Sequence, residues 1–246
     1  MAGKWAPLES NPEVLTKAHT THPIPLLWAA RVGLATKRTA FSDVYGLDDE
    51  LLAMVPNQPV EAVLLVFPLT DEIDKQRKQT DKDVEANGQP SLDPTIYFIK
   101  QTISNACGTI ALLHSIYNTN VTIKPGTPLQ KFQLATIEQT PEERAKLLET
   151  TDLFAAAHAE AASGGQSSLP PNLDTREHFV AFVQAPDPNE DGKHRLIELD
   201  GRRNGPLDLG PSEDLLKDAA KVIKELYIGN SGLETFSMIT MGPAWE

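Results

Sequence analysis

The sequence predicts one α+β domain, with helices packed on a sheet whose short strands can pair antiparallel. Three observations carry this. Stretches with helix caps and helical periodicity alternate along the chain with short runs rich in Val, Leu, Ile and Phe. A chain of 246 residues can bury a sizeable core. No Pro/Gly-rich linker separates two cores, so a single domain over 1–246 is expected.

The elements follow in order. SNPEVLTKAH (10–19) predicts a helix, with Ser10 or Asn11 as cap, Pro12 at the first helical position and Glu13 in the first turn. LLWAARVGLA (26–35), after Pro23 and Pro25, predicts a second, and DDELLAMV (48–55), ended by Pro56, a third. EAVLLVFPL (61–69) has the continuous apolar character of a buried strand. DEIDKQRKQTDKDVEANGQPSLD (71–93) mixes both charges, as a solvated helix or loop does. TIYFIKQ (95–101) predicts a strand, and NACGTIALLHSIYN (105–118), apolar nearly all round, a helix buried in the core.

Next comes a soft stretch, TDLFAAAHAEAASGGQSSLPPNL (151–173), rich in Ala, Ser and Gly. It predicts a flexible surface loop, helical in part at its Ala-rich start. Structureless stretches this long are either disordered or functional, as lids and binding loops are. HFVAFVQ (178–184) and HRLIELD (194–200) are strands joined by the turn formers APDPNEDGK. SEDLLKDAAKVIKELYIG (212–229) is an amphipathic helix, with Ser212 as its cap and Gly229 at its end. LETFSMITM (233–241) closes the sheet.

Charge and cysteine usage narrow the classes of function. Lys plus Arg number 22 and Asp plus Glu 34, a formal net charge of −12. Such a surface repels nucleic acid and anionic lipid, and it favours a basic partner or plain solubility. One cysteine makes no internal disulfide. MAGKWAPLESNPEV has no apolar run of a signal peptide, and no stretch approaches the roughly 20 apolar residues of a membrane span. A cytoplasmic or nuclear protein is expected.

The single thiol, Cys107, stands where the buried helix begins. If Ser104 or Asn105 caps that helix, Cys107 lies in its first turn, where free N–H groups and the macrodipole favour the thiolate. Against this stands the common reading of a lone cysteine as an inert core residue. A nucleophilic thiolate needs a base, and the base an orienting group. His19 and His22 lie in a Pro/Thr-rich stretch, His158 in the soft loop, and His114 about 10 Å up the nucleophile's own helix. That leaves His178 and His194. In a symmetric hairpin, residue 178 pairs with 200, which puts His178 beside Asp200 at a Cβ separation of about 4.5–5.5 Å. His194 would lie about 20 Å from that acid. Taken alone, Asp200 reads equally well as a turn residue. Gln101, six positions before the thiol, can donate to an oxyanion with the Cys107 N–H, although alone it reads as a surface polar residue.

At this point the chain resembles the ubiquitin C-terminal hydrolases, a family of papain-like cysteine deubiquitinases. The resemblance rests on colinear blocks: WAPLESNPEV, DVYGLDDELLAMVP, PVEAVLLVFP, YFIKQTISNACGTIALLH, TPEERAKLLE, HFVAFV and LIELDGRRNGP. It implies a papain-like core with a mostly antiparallel sheet between helices. It implies Cys107 as nucleophile, His178 as general base and acid, Asp200 as the residue orienting the imidazole, and Gln101 as oxyanion donor. Glu9 and Asn105 would bind ubiquitin. The stretch at about 150–175 would be a crossover loop that passes small or unfolded leaving groups. No metal or cofactor is implied, and a monomer is expected. Departures include a longer LLWAARVGLATKRTAF segment, a longer APDPNEDGK turn, and LDLG where the family often has an HG-like element. A Nedd8-preferring hydrolase, a silent ubiquitin binder and a redox-sensing thiol are the competing readings.

Overall fold

The computed structural model describes residues 24–163, 176–229 and 235–244. The helix expected at 10–19, Glu9 and residues 164–173 of the soft loop lie outside the described residues. The helices are α1 Ile24–Val32, α2 Asp49–Leu52, α3 Asp71–Asn87, α4 Cys107–Tyr117, α5 Pro128–Thr136, α6 Pro141–Thr150, α7 Ala155–Ser163 and α8 Leu215–Val222, the last continued as a π-helical turn, Ile223–Gly229. The strands are β1 Thr39–Asp43, β2 Ala62–Pro68, β3 Glu177–Pro186, β4 His194–Leu199, β5 Leu207–Ser212 and β6 Ser237–Pro243. They form one antiparallel sheet in the order β1-β6-β2-β3-β4-β5.

Strand β2 shows why the sheet has a layer on each side. Its residues are apolar without alternation because both faces are covered. Ala62, Leu64 and Val66 pack with Ile110 and Leu113 of α4, while Val63, Leu65 and Phe67 pack with Leu215 and Leu216 of α8. No helix among the described residues is long and apolar enough to cross a membrane.

Several elements differ from expectation. Residues 95–101 are extended but pair with no strand. Two of their amides bond to side chains in and just past α4 instead: Tyr97 N donates to Asn118 Oδ1 at 2.7 Å and Ile99 N to His114 Nε2 at 2.9 Å. Stretch 71–87 is a full helix, with Thr70 accepting from Ile73 N and Gly88 just past its end. Its solvated reading fails on one face, where Ile73 and Arg77 are buried. Strands β1 and β5, short and at the sheet edges, carried too few apolar residues to be seen in the pattern. Helices α5 and α6 were overlooked too, although Thr-Pro opens each. Helix α8 takes Asp214 as its cap, whose side chain accepts from Lys217 N. Ser212 instead ends β5 and donates to Asp218 at 2.8 Å.

The β3–β4 register is shifted from the symmetric hairpin. Ala181 faces Leu199, and Pro186 faces His194 at the closing end. The pairing therefore runs two residues further along β3, with a shorter loop than assumed. Side chains alternate with period two, so a shift of two leaves His178 and Asp200 on one face.

His114 links three elements. It is fully buried, stacks on Phe98, accepts from Ile99 N, and its Nδ1 lies 3.3 Å from Leu199 O. Burial dominates and lowers its pKa to about 4, against the raising effect of the Leu199 carbonyl. The native state therefore holds it neutral, whereas the unfolded chain protonates it near pH 6.5. Stability should fall as pH drops from 6.5 towards 4, by roughly 3 kcal/mol from this residue alone. Denaturant melts of the wild type and His114→Gln at pH 7 and pH 4.5 would check this. The gap between the two proteins should narrow in acid; a constant gap would remove His114 as the cause.

Candidate active site

Helix α4 begins at Cys107. Ala106 occupies the cap position with φ −88° and ψ 1°, and no side chain caps the helix. The caps expected at Ser104 or Asn105 are thus not formed. Asn105 is in the left-handed region, φ 61°, which Asn tolerates better than most residues, and it turns the chain into the helix. With no capping side chain, the first N–H groups of α4 remain available around the sulfur. Cys107 itself is only 8% exposed.

His178, the second residue of β3, lies across from Phe67 of β2, and their rings meet edge to face at 5.7 Å. Its Nε2–H donates to Asp200 Oδ1 at 2.8 Å. Both side chains are fully buried. Asp200 directly follows β4 and also accepts from Arg202 N at 2.9 Å, so it is a turn residue as well. With Nε2 engaged, Nδ1 is the nitrogen left for the thiol, and it makes no hydrogen bond. The thiol–imidazole contact is accordingly electrostatic and looser than a formed hydrogen bond, as is common before substrate binds. The Cys107 S–H has a weak acceptor, Glu177 O, at 3.9 Å.

Charge follows from this geometry. Burial pushes the Cys107 thiol up, but the close approach and charge of His178, the Phe179 amide and the charge of Arg202 outweigh it, so its pKa is lowered. Burial pushes His178 down, but Asp200 and Cys107 raise it to about 9. Burial would also raise Asp200; His178, Arg77 and the Arg202 amide hold it well below the usual carboxylate range instead. The arrangement favours a thiolate beside an imidazolium.

Gln101 reaches the site through its backbone. Its N–H donates to Gly201 O at 2.7 Å, which fastens residues 97–101 to the turn holding Asp200. A Cβ on Gly201 would sit 3.0 Å from Gln101 Cβ and 3.1 Å from Ile110 Cγ2, so the approach is tight and a larger residue would push these neighbours by a few tenths of an ångström. The Gln101 amide donates to Ile103 O at 3.3 Å, and its Oε1 is buried without a partner. Among the described residues, the other histidines stand elsewhere. His158 bonds Thr109 Oγ1 at 2.9 Å within the core, and His194 is exposed at the hairpin end of β4.

Residues 5–227 match the family model of ubiquitin carboxyl-terminal hydrolase, family 1. The chain belongs to that family. It is a thiol-dependent hydrolase of the ubiquitin pathway. Ubiquitin carboxyl-terminal hydrolase 3 of Arabidopsis thaliana is 40% identical to it over 242 residues, covering 97% of this chain and 94% of the relative. Ubiquitin carboxyl-terminal hydrolase isozyme L1 of Homo sapiens is 37% identical over 239 residues, covering 96% of each. The catalytic domain of Trichinella spiralis UCH37, solved bound to ubiquitin vinyl methyl ester, superposes with a TM-score of 0.67 at 24% identity. The superposition covers 99% of this chain and 97% of that one, and shares the papain-like fold.

Sequence reasoning missed what stands behind Asp200 in this hydrolase. Arg77 of α3 is buried and donates through Nη2 to Asp200 Oδ2. Beyond it, Arg203 Nε donates to Glu198 Oε1 at 2.7 Å, and its Nη1 bonds Asp81 Oδ1 and Arg77 O. Tyr227 donates to Glu198 Oε2 at 3.0 Å. The available signal was faint: Arg77 falls one helical turn after Ile73, the only strongly apolar residue in the first half of a charged segment. A cavity of about 470 Å³ is lined by Arg77, Glu198, Arg203 and Tyr227 but not by Cys107 or His178, so it is separate from the thiol.

Proposed function

We propose that this hydrolase cleaves the bond after the C-terminal glycine of ubiquitin by acyl transfer to Cys107. The observation that carries the reading is the charge pattern along Cys107, His178 and Asp200: thiol lowered, imidazole raised to about 9, carboxylate anchored at 2.8 Å. The thiolate attacks the glycine carbonyl, whose electron pair moves to oxygen. The Cys107 N–H and the Gln101 amide hold that oxyanion. The intermediate collapses, and the His178 imidazolium gives its proton to the departing amine. His178 then takes a proton from water, the hydroxide attacks the thioester, and the thiolate returns. Asp200 keeps Nε2 protonated and Nδ1 turned to the sulfur throughout.

Gln101 must leave the Ile103 carbonyl to reach the oxyanion, so it acts in the transition state more than in binding. Gln101→Ala should lower kcat by roughly 10²-fold with KM little changed. Steady-state kinetics on ubiquitin-aminomethylcoumarin would show it, and a rise in KM at constant kcat would exclude the oxyanion role. A pH series is also diagnostic. Thiolate is present below the ordinary thiol pKa, so alkylation of Cys107 by iodoacetamide should stay fast at neutral pH. Turnover should fade above about pH 9 as His178 loses its proton. An alkylation profile rising only near the ordinary thiol pKa would argue against the ion pair.

The finer specificity follows from the stretch at about 150–175, read as a crossover loop. Helix α7 occupies its start. A loop of fixed reach admits small or unfolded leaving groups and excludes folded ones. Lengthening it by about ten residues should raise cleavage of a folded ubiquitin fusion relative to the coumarin substrate; an unchanged ratio would sink the filter. Intact mass after mixing with ubiquitin carrying a C-terminal thiol-reactive group tests the whole reading. One adduct on the wild type and none on Cys107→Ala is expected. Labelling by the equivalent Nedd8 probe alone would move the substrate to that modifier.

A further inference from the structure

We infer that Glu177 is a specificity residue, whose carboxylate receives a cationic side chain of the substrate strand lying across Cys107. This deepens the reading just proposed and rests on it.

Along β3, residues of one face pack against α4: Phe179, Ala181 and Val183 share a cluster with Cys107, Ala106 and Ile110. Strand alternation puts Glu177 on that same face, two positions nearer the strand's start. Burial falls in step along it. Ala181 is 0% exposed, Phe179 8%, and Glu177 half-buried. The face thus rises out of the core at Glu177, beside a thiol that is itself 8% exposed. The Glu177 backbone oxygen lies 3.9 Å from Sγ, so the residue stands directly beside the thiol.

The chemistry of the residue is out of keeping with that position unless something meets it. Three carboxylates of the interior have cations, Asp200 with Arg77, Glu198 with Arg203 and Asp208 with Arg195; Glu61, far from the thiol in sequence, shares with Glu177 a pKa raised by burial. Among the described residues the Glu177 carboxylate makes no ion pair and no hydrogen bond, and burial alone acts on it, raising its pKa. A partly desolvated, unpaired carboxylate costs stability that a passing cation would return. An anion next to a nucleophilic thiolate also works against that thiolate. A cation docked on Glu177 would offset both.

Two parts of a substrate carry such a cation: the arginine preceding ubiquitin's terminal Gly-Gly, or a basic residue early in the leaving peptide. The test separates them. One arm compares ubiquitin-aminomethylcoumarin with a version in which that arginine is alanine. The other compares ubiquitin–peptide fusions with Lys or Ala at the second leaving position. Each pair is run with the wild type and with Glu177→Gln, which keeps size and removes only charge. In one arm the wild type should lose roughly tenfold in kcat/KM when the cation is removed, and Glu177→Gln should lose little. The wild-type difference should also shrink in high salt. Equal losses for both proteins in both arms would overturn the assignment. No turnover of any ubiquitin substrate by the wild type would instead overturn the deubiquitinase reading beneath it.

Discussion

Cys107→Ala should remove turnover, by at least about 10³-fold, while ubiquitin still binds. No other residue can form a thioester intermediate, because the chain has one cysteine. The change deletes one sulfur from a site that is 8% exposed, so the fold should lose no more than about 1 kcal/mol. Binding energy comes from the ubiquitin surface and not from the sulfur. A further readout is independent of turnover. Cys107 is among the groups that raise the pKa of His178. Without the thiolate, His178 should titrate below about 9, as followed by the NMR shift of its ring protons. Loss of turnover with an unmoved His178 would mean that thiol and imidazole are not coupled. Loss of ubiquitin affinity together with turnover would mean that Cys107 supports the binding surface.

Asp200→Ala should damage both activity and stability, for different reasons. His178 loses the acceptor that fixes Nε2–H, and burial then favours the neutral ring in either tautomer. Loss of an orienting acid of this kind lowers kcat by about 10²–10⁴-fold. Arg77 is meanwhile left buried with only the looser pair to Asp74 at 3.8 Å, which costs up to about 3–5 kcal/mol. The double variant Asp200→Ala, Arg77→Met removes the stranded charge. It should melt well above the single variant yet remain equally slow. If the single variant melts like the wild type, the Arg77–Asp200 pair contributes nothing to the fold. The pH sign agrees. Asp200 has a depressed native pKa, so its contribution is present above the ordinary carboxylate pKa of about 4. It is lost only as pH falls below that value.

The two variants differ in how far they were foreseeable. Cys107 stood out because local signals converge on it: a lone thiol at the start of an apolar helix. His178 and Asp200 followed from strand periodicity, which tolerates an error of two in register. A shift of one would have parted them onto opposite faces. Gln101 was legible only as a position. What carries it to the site is the bond from its amide to Gly201, which no local pattern contains. The segment 95–101 shows the same limit. Its composition suits extended backbone, but its hydrogen bonds go to His114 and Asn118, so it never joins the sheet.

Arg77 was out of reach. In sequence it is one cation in a charged run; in space it is the inner face of α3 laid against Asp200, 123 residues away. Strand β2 and helix α4 declare themselves by continuous apolar runs, and the hairpin of β3 and β4 by apolar runs either side of turn formers, because burial is written into local composition. Buried charge pairs carry no period. They exist only once distant segments meet, because a charge enters the interior only with its partner. The positions of Cys107, His178 and Asp200 were therefore legible in local order, whereas the support of Arg77 behind Asp200 was settled by packing.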